Sequence, residues 1–343
     1  MSRKRKKIYS GIGGQAVLEG VMMKNQDHYA VAVRKPNGEI EIETESYYGV
    51  LHGKGLARVP FLRGVINLVD SLRLGMRALN YSATFYEDEE AGDTVADKVA
   101  DKVFHEKAEK FFMALVTIFS VALAIGLFVL LPYFLSSLLG KVIRERTLLA
   151  AIEGLIRILI FIAYIVVITL MKDIRRLYRY HGAEHKCINC IERGRALTVK
   201  NVKKSSRQHK RCGTSFTLLV VLISCVVFFF ITVENPVYRM LIRVALIPVI
   251  AGIAYEFIRL AGKTDNIIVA ILSIPGMLLQ RLTTKEPDED MILTAIASVE
   301  AVFDWKKFLV ENFDEDPEKL ERLRQEDLEF YKDRAYHGRE SEQ

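Results

Sequence analysis

Residues 111–140 read FFMALVTIFSVALAIGLFVLLPYFLSSLLG, a stretch of the 343-residue chain without Asp, Glu, Lys or Arg. A helix of about 20 apolar residues is long enough to cross a bilayer core of about 30 Å. Helices buried in soluble proteins seldom extend that far without a charge. This stretch therefore predicts a membrane-spanning helix rather than a core helix of a soluble protein.

Three further apolar stretches follow, at residues 147–171, 213–233 and 237–260. Together with the first they predict a mainly α, polytopic helical membrane protein with about four transmembrane helices. Residues 266–282 are also apolar, but they are short for a span and contain Pro275-Gly276. This pattern favours a re-entrant or interfacial hairpin over a fifth span.

The segment 172–213 carries 13 Lys or Arg residues against three acidic residues. Such a net charge of +10 predicts a cytoplasmic loop, and an even number of spans then places both termini in the cytoplasm. The expected location is the inner (plasma) membrane. The basic start of the chain is not followed by an apolar core, so we expect no cleavable signal peptide.

Residues 1–110 predict a small cytoplasmic α+β region. Residues 29–45 alternate apolar and polar side chains around Pro36-Asn37-Gly38, which indicates a β-hairpin. Residues 60–81 form an amphipathic pattern that either lies on the membrane surface or covers the hairpin. Residues 87–110 are charged and are expected to form a connector. The region precedes a transmembrane domain, 111–283, that includes the basic loop.

The C-terminal segment 284–343 contains 18 acidic and nine basic residues. It predicts an acidic, helical, cytoplasmic tail. We expect the tail to be solvated and the basic loop 172–213 to contact anionic lipid head groups rather than the tail. Lipid contact explains the loop charge as well as phosphate binding does, so a nucleic acid is not an expected partner. Cytoplasmic thiols stay reduced, so no structural disulfide is expected.

The sequence YHGAEHKCINC at 180–190 holds the candidate site. On a helix, His181 and His185 lie four residues apart on one face, with Glu184 beside them. This H-x-x-E-H pattern is that of inverted zinc-protease motifs, in which two imidazoles bind Zn²⁺ and the Glu serves as general base. The alternative is a polar helix end without a metal.

The sequence offers several candidates for further metal ligands. Cys187 and Cys190 face away from the histidines if the helix continues, and are then incidental. If the helix ends near residue 186, the two cysteines instead converge with the two histidines. His209 and Cys212 supply another His and Cys at the far end of the same loop, and a His-rich hairpin with Cys212 is the alternative of a structural Cys/His zinc site. Glu256 near the end of the fourth span either completes the metal shell or pairs with Arg259.

Five segments in order resemble the signatures of the YqhQ-type family of bacterial membrane proteins: GGQAVLEGVMM, YHGAEHK, RCGTSF, YEFIR and PGMLLQRLTTKEP. The resemblance covers about residues 11–300. It implies a membrane location and a predicted metal-dependent enzyme, without a known reaction. The family motifs include His181, Glu184, His185, Cys212, Glu19 and Glu256. Cys187 and Cys190 lie outside them, and His209 departs from the family position.

These patterns support two hypotheses. The first is a metal-dependent, zinc-type hydrolase at the cytoplasmic membrane interface, with Glu184 catalytic and with His181, His185, Cys212 and Glu256 as metal ligands. The cofactor would be Zn²⁺ or another divalent metal. The alternative is a non-catalytic membrane scaffold, or a factor that assists the insertion or assembly of a membrane-protein partner.

Overall fold

The computed structural model describes residues 7–49, 59–86, 111, 114–231, 233, 235–262 and 266–340, with side chains as far as residue 331. The predicted connector 87–110 lies outside the described residues. The helices, in chain order, are α1 (Leu62–Ala83), α2 (Ala114–Leu139), α3 (Arg146–Thr169), α4 (Lys172–Ile191), α5 (Val199–Lys203), α6 (Gly213–Phe229), α7 (Pro236–Ala245), α8 (Ile247–Ala261), α9 (Ile267–Thr283), α10 (Glu289–Val302), α11 (Trp305–Phe313) and α12 (Pro317–Glu340).

The chain divides into two compact units. The sheet unit comprises Met1–Tyr86, Val167–Leu218 and Gly252–Gln343, and the helical unit comprises Glu87–Val166 and Leu219–Ala251. This differs from the predicted division at residues 110 and 283. The N-terminal region, the basic segment and the tail fold together because each contributes apolar side chains to the same core.

A four-stranded antiparallel sheet organises the sheet unit, with strands in chain order: β1 (Gly13–Val17), β2 (Gly20–Asn25), β3 (His28–Arg34) and β4 (Ile40–Ser46). The predicted hairpin is confirmed as β3 and β4. The hairpin of β1 and β2 was not predicted. Its two-residue turn is Leu18-Glu19, with Glu19 at φ 51°, and lacks the Asn-Gly or Asp-Gly that usually signals such turns.

Strand alternation gives the sheet two covered faces. On one face Val21 and Met23 of β2 pack with apolar residues of α4 and α10. On the other, Met22 packs with Leu74 and Ala78 of α1. The fold therefore places α4, which carries the H-x-x-E-H motif, directly against the sheet.

Helix α1 confirms the amphipathic helix predicted at 60–81, but with a different face against the sheet. Its buried residues include the small side chains of Gly75, Ala78 and Ser82. Leu72 and Met76 remain exposed, although they belong to the apolar residues at three- and four-residue steps that predict the helix. Small side chains allow close approach between helix and sheet, and the apolar periodicity alone did not reveal this.

Three helical stretches are long and apolar enough to cross a membrane: α2, α3 and the run Pro236–Ala261 formed by α7 and α8. The third predicted span, 213–233, forms the 17-residue helix α6. That length is at the lower end of what crosses a bilayer. Three spanning-length helices, rather than four, are therefore found in the described part of the chain.

The re-entrant hairpin predicted at 266–282 is wrong. Helix α9 continues through Pro275 over 17 residues. The neighbouring Gly276 packs against Ser215 of α6, where a Cβ atom would lie 2.8 Å from the serine Cβ. Gly276 thus permits close helix packing here rather than marking a turn.

The expectation of a solvated tail is also wrong for much of 284–327. Ile292, Ala295 and Val299 of α10 are fully buried in the core of the sheet unit. Acidic residues of this segment pair with the basic segment, as in Lys203 with Glu289 and Arg179 with Asp288. The opposite charges of the two segments therefore meet in the fold.

Gly182 holds α4 close to the segment that precedes α10. A Cβ atom at this position would lie 2.0 Å from the carbonyl oxygen of Lys285, whose own N–H donates to the Tyr178 carbonyl at 2.8 Å. We expect Gly182→Ala to destabilise the protein by about 1–3 kcal/mol, because backbone must move to relieve this clash.

Thermal unfolding of the detergent-purified variant measures this effect. Gly126→Ala is the matched control, since that helical glycine has no atom within 4 Å of an added Cβ. The control should unfold at or slightly above the wild-type temperature. Equal unfolding temperatures for the two variants would contradict the packing argument.

Candidate metal centre

Helix α4 presents the histidine pair as the sequence predicts. It is continuous from Lys172 to Ile191 and begins after an extended Met171, with Asp173 in its first turn. A carboxylate there suits the positive end of the helix dipole. His181 and His185 stack on one face with their ring centroids 4.4 Å apart.

Both imidazoles are held through Nδ1. The Nδ1 atom of His181 lies 3.0 Å from the Thr283 carbonyl oxygen, and that of His185 lies 2.6 Å from the Arg207 carbonyl oxygen. A carbonyl oxygen only accepts, so each Nδ1 must carry the hydrogen. In the neutral rings, Nε2 is left with a lone pair, which is the arrangement that metal-binding histidines commonly have.

Cys212 reaches the histidines from the segment that precedes α6. Its Sγ lies 3.3 Å from Nε2 of His181 and 3.1 Å from the hydroxyl oxygen of Thr214. Its carbonyl accepts the Phe216 N–H at 3.1 Å, so the thiol stands at the start of the helix. A helix N-terminus stabilises a thiolate.

One donor atom from each of His181, His185 and Cys212 lies within 4.8 Å of the other two. Zn–N bonds of about 2.0–2.1 Å and Zn–S bonds of about 2.3 Å at tetrahedral angles place such donors about 3.3–3.6 Å apart. The three side chains therefore fit a metal ion with small adjustments.

The electrostatics of the group favour a cation. Burial alone would raise the pKa of the Cys212 thiol, but His181 and His185 hold it well below its ordinary value. Burial would likewise lower the pKa of His181, yet Cys212 and Glu184 raise it to about 9. Both shifts favour the charged forms of this pair, an imidazolium and a thiolate.

Glu184 lies beside this group rather than within it. Its Oε2 is 3.9 Å from Nε2 of His181, and its side chain is 6% exposed. Burial raises its pKa, while both imidazoles and the Gly14 N–H act in the opposite direction. A Cβ atom on Gly14 would lie 3.0 Å from Cγ of Glu184, so the glycine admits the carboxylate to the edge of β1.

The structure does not bring Glu256 to the histidines, contrary to the prediction that it completes the shell. Its carboxylate accepts hydrogen bonds from Arg63, one of them at 2.6 Å, and from the Phe61 N–H at 3.3 Å. The alternative partner, Arg259, is 4.0 Å away. The carboxylate therefore joins α1 to α8. Glu19, the other acid within a family motif, pairs with Arg176.

Cys187 and Cys190 lie in the apolar core of the sheet unit. The helix continues past both residues, as the incidental interpretation requires. Burial raises the pKa of each thiol, to about 12 for Cys190. They act as small core side chains and are not among the grouped donors.

Sequence reasoning missed Glu192. This carboxylate is fully buried and bonds four groups: Lys7, Ser10, His209 and Arg211. The imidazole of His209 thus contacts Glu192, and the backbone N–H of His209 donates to Oε1 of Gln280 at 2.8 Å. The available signal was that Glu192 is one of only three acidic residues in a strongly basic segment.

Two comparisons with known proteins match this chain. The family described as "Protein of unknown function (DUF1385)" matches residues 59–305. The chain is 33% identical over 293 residues to a Bacillus subtilis (strain 168) protein described as "Uncharacterized protein YqhQ". That alignment covers 85% of this chain and 92% of the relative. No solved structure matches. The chain therefore belongs to the YqhQ-type family of DUF1385 proteins, whose function is unknown.

Proposed function

We propose that the protein is a multi-pass membrane protein with a metal-dependent, hydrolase-like centre in its sheet unit. His181, His185 and Cys212 would hold Zn²⁺ or another divalent transition metal. The observation that carries this proposal is the grouping of their three donor atoms within 4.8 Å, with both Nδ1 atoms fixed on backbone carbonyls.

Three protein ligands leave a fourth tetrahedral position for a substrate or water, as catalytic zinc sites do. A bound divalent metal would supply Lewis acidity to a substrate carbonyl or phosphoryl oxygen. Glu184 would accept a proton from the attacking water, because its carboxylate lies beside the ligand face of α4. The Gly14 N–H keeps that carboxylate oriented.

Three helices of spanning length support a membrane location. The cytoplasmic placement of the centre rests on the charge of segment 172–213. The proposal that both termini lie there too requires the 17-residue helix α6 to cross the membrane as a fourth span. Contact between that segment and anionic head groups stays part of the proposal. Its exposed basic residues, such as Arg175 and Lys200, would face the head groups.

The Glu184→Gln variant separates metal binding from catalysis. We expect this variant to keep the wild-type metal content, since its side chain is outside the donor group, and to lose at least about a hundredfold in turnover. Metal content is measured by elemental mass spectrometry, and turnover on panels of peptide, ester and phosphodiester substrates.

A folded wild-type protein without metal, even after reconstitution, would contradict the proposed function. It would favour the non-catalytic scaffold or assembly role. Unchanged turnover in Glu184→Gln would contradict only the assignment of Glu184 as general base. It would leave the proposed metal ligands untouched.

A further inference from the structure

The helical unit contains a buried ionic cluster formed by Glu153 and Arg157 of α3 and Arg243 of α7. These side chains are 6%, 2% and 4% exposed. One carboxylate oxygen of Glu153 accepts from Arg157 and from Arg243, at 2.7 Å each, and the other accepts from Arg243 at 2.9 Å. Two guanidinium groups share one carboxylate, so the cluster carries a net charge of +1.

The surrounding protein compensates this charge only in part. Both guanidinium groups lie over the ring of Phe228, at 4.7 and 5.1 Å from its centroid. Arg157 also donates to the Phe128 carbonyl at 3.0 Å. Nε of Arg243, in contrast, is buried and has no hydrogen-bond partner among the described residues. A buried charge without a full counter-charge is costly, so an anion beside the cluster would stabilise it.

A cavity of about 500 Å³ lies against this cluster, lined by Glu153, Arg243, Arg239 and Arg146. Its lining thus has three guanidinium groups and one carboxylate, and that carboxylate already accepts three hydrogen bonds from Arg157 and Arg243. The hydroxyls of Ser136 and Ser137, which also line it, donate to carbonyls of their own helix. Arg239 donates through Nε to the Val233 carbonyl at 2.6 Å, and its terminal nitrogens offer further donors to the cavity. Guanidinium groups favour phosphate or carboxylate oxygens.

An apolar groove of about 420 Å³ continues from this cavity. It shares Ala150, Phe229 and Phe230 with the cavity, and its other lining residues include Leu155 and Val226. A charged cavity joined to an apolar groove matches an amphiphile with an anionic head group. One side of the groove is formed by α3, a helix of membrane-spanning length.

We propose that the helical unit binds an acidic phospholipid, with its phosphate at Arg239 and Arg243 and an acyl chain in the adjoining apolar groove. Free phosphate offers the same anionic chemistry, but it leaves the groove unfilled. The site is independent of the histidine group, and nothing in the proposed hydrolase function requires it.

Thermal unfolding of the full chain, purified in detergent and delipidated, tests this proposal. The probes are dioleoyl phosphatidylglycerol, dioleoyl phosphatidylcholine and inorganic phosphate. We expect phosphatidylglycerol to raise the unfolding temperature by about 4 °C or more, and the other two probes to raise it far less.

Arg239→Gln removes one phosphate donor from a half-exposed position, so the variant should still fold. Its affinity for phosphatidylglycerol should fall about tenfold or more, measured from the dependence of the shift on lipid concentration. Arg144→Gln, at an exposed arginine outside the cavity lining, is the control and should keep the wild-type shift.

An equal shift with phosphatidylcholine, or an equal loss in both arginine variants, would overturn the proposal in favour of bulk lipid effects. A full shift with inorganic phosphate alone would show that the cavity holds a free anion, and the lipid assignment would be wrong.

Discussion

The His185→Ala and Cys212→Ser variants are expected to purify with almost no metal, whereas the wild type should hold about one transition-metal ion per chain. Apparent binding energies of structural zinc sites are about 10–16 kcal/mol. Loss of one of three protein ligands removes roughly a third of this, about 4 kcal/mol, or about a thousandfold in affinity. Elemental mass spectrometry after dialysis against a weak chelator measures the outcome.

Cys187→Ala is the matched control for Cys212→Ser. Both thiols are buried, but only Cys212 lies beside the histidines. The control should retain its metal, and thermal unfolding checks that each variant is folded. Loss of metal in Cys187→Ala, or retention in both ligand variants, would contradict the assigned donor set.

Glu192→Ala is expected to lower the free energy of unfolding by about 3–5 kcal/mol, since it removes the shared partner of a buried charge network. The carboxylate holds Lys7 at 3.0 Å, His209 at 3.2 Å and Arg211 at 3.3 Å. Without it, Nε2 of buried His209 loses its partner, and Lys7 and Ser10 lose their bonds to the side chain of residue 192. We expect the thermal unfolding temperature to fall by about 10 °C.

The pH dependence of stability gives a second readout for Glu192. Burial opposes its ionisation, but His209 and Lys7 lower its pKa to about 2, from an ordinary value of 4.5. A lowered pKa in the folded state stabilises the protein above pH 4.5, and this contribution is lost as the pH falls towards 2. Glu192→Gln should therefore flatten the acid side of the stability profile.

Glu321→Gln is the control for both Glu192 experiments. Glu321 pairs with Lys306, but its side chain is 50% exposed. An exposed pair contributes little to stability, so this variant should unfold like the wild type. A Glu192 variant that also unfolds like the wild type would show that the buried network does not stabilise the fold.

The predictable parts of the fold were those set by local pattern. Alternation around Pro36-Asn37-Gly38 predicted β3 and β4, and apolar length predicted α2 and α3. The hairpin of β1 and β2 was not predicted from the sequence, because its turn has a non-glycine residue, Glu19, at positive φ. Helix α9 was not predicted as one continuous helix, because a proline such as Pro275 normally interrupts a helix. The structure shows that the helix continues through Pro275.

The candidate site was predictable where residues share one helix. Four-residue spacing placed His181 and His185 together, and continuation of α4 separated Cys187 from them. Tertiary contacts decided the rest. Cys212 joins the histidines across 31 residues of sequence, whereas Glu256 is drawn to Arg63, 193 residues away. No pattern in the sequence distinguishes these two outcomes, because both depend on which helices pack together.

X-ray absorption spectroscopy at the metal edge tests the central claim most directly, because it counts the ligand atoms of the bound ion. The donor set of His181, His185 and Cys212 predicts one sulfur at about 2.3 Å and two imidazole nitrogens at about 2.0–2.1 Å when the metal is zinc. A spectrum with two or more sulfurs would contradict this account, since it would place Cys187 or Cys190 on the metal. A spectrum without sulfur would contradict it as well, because Cys212 would then not be a ligand.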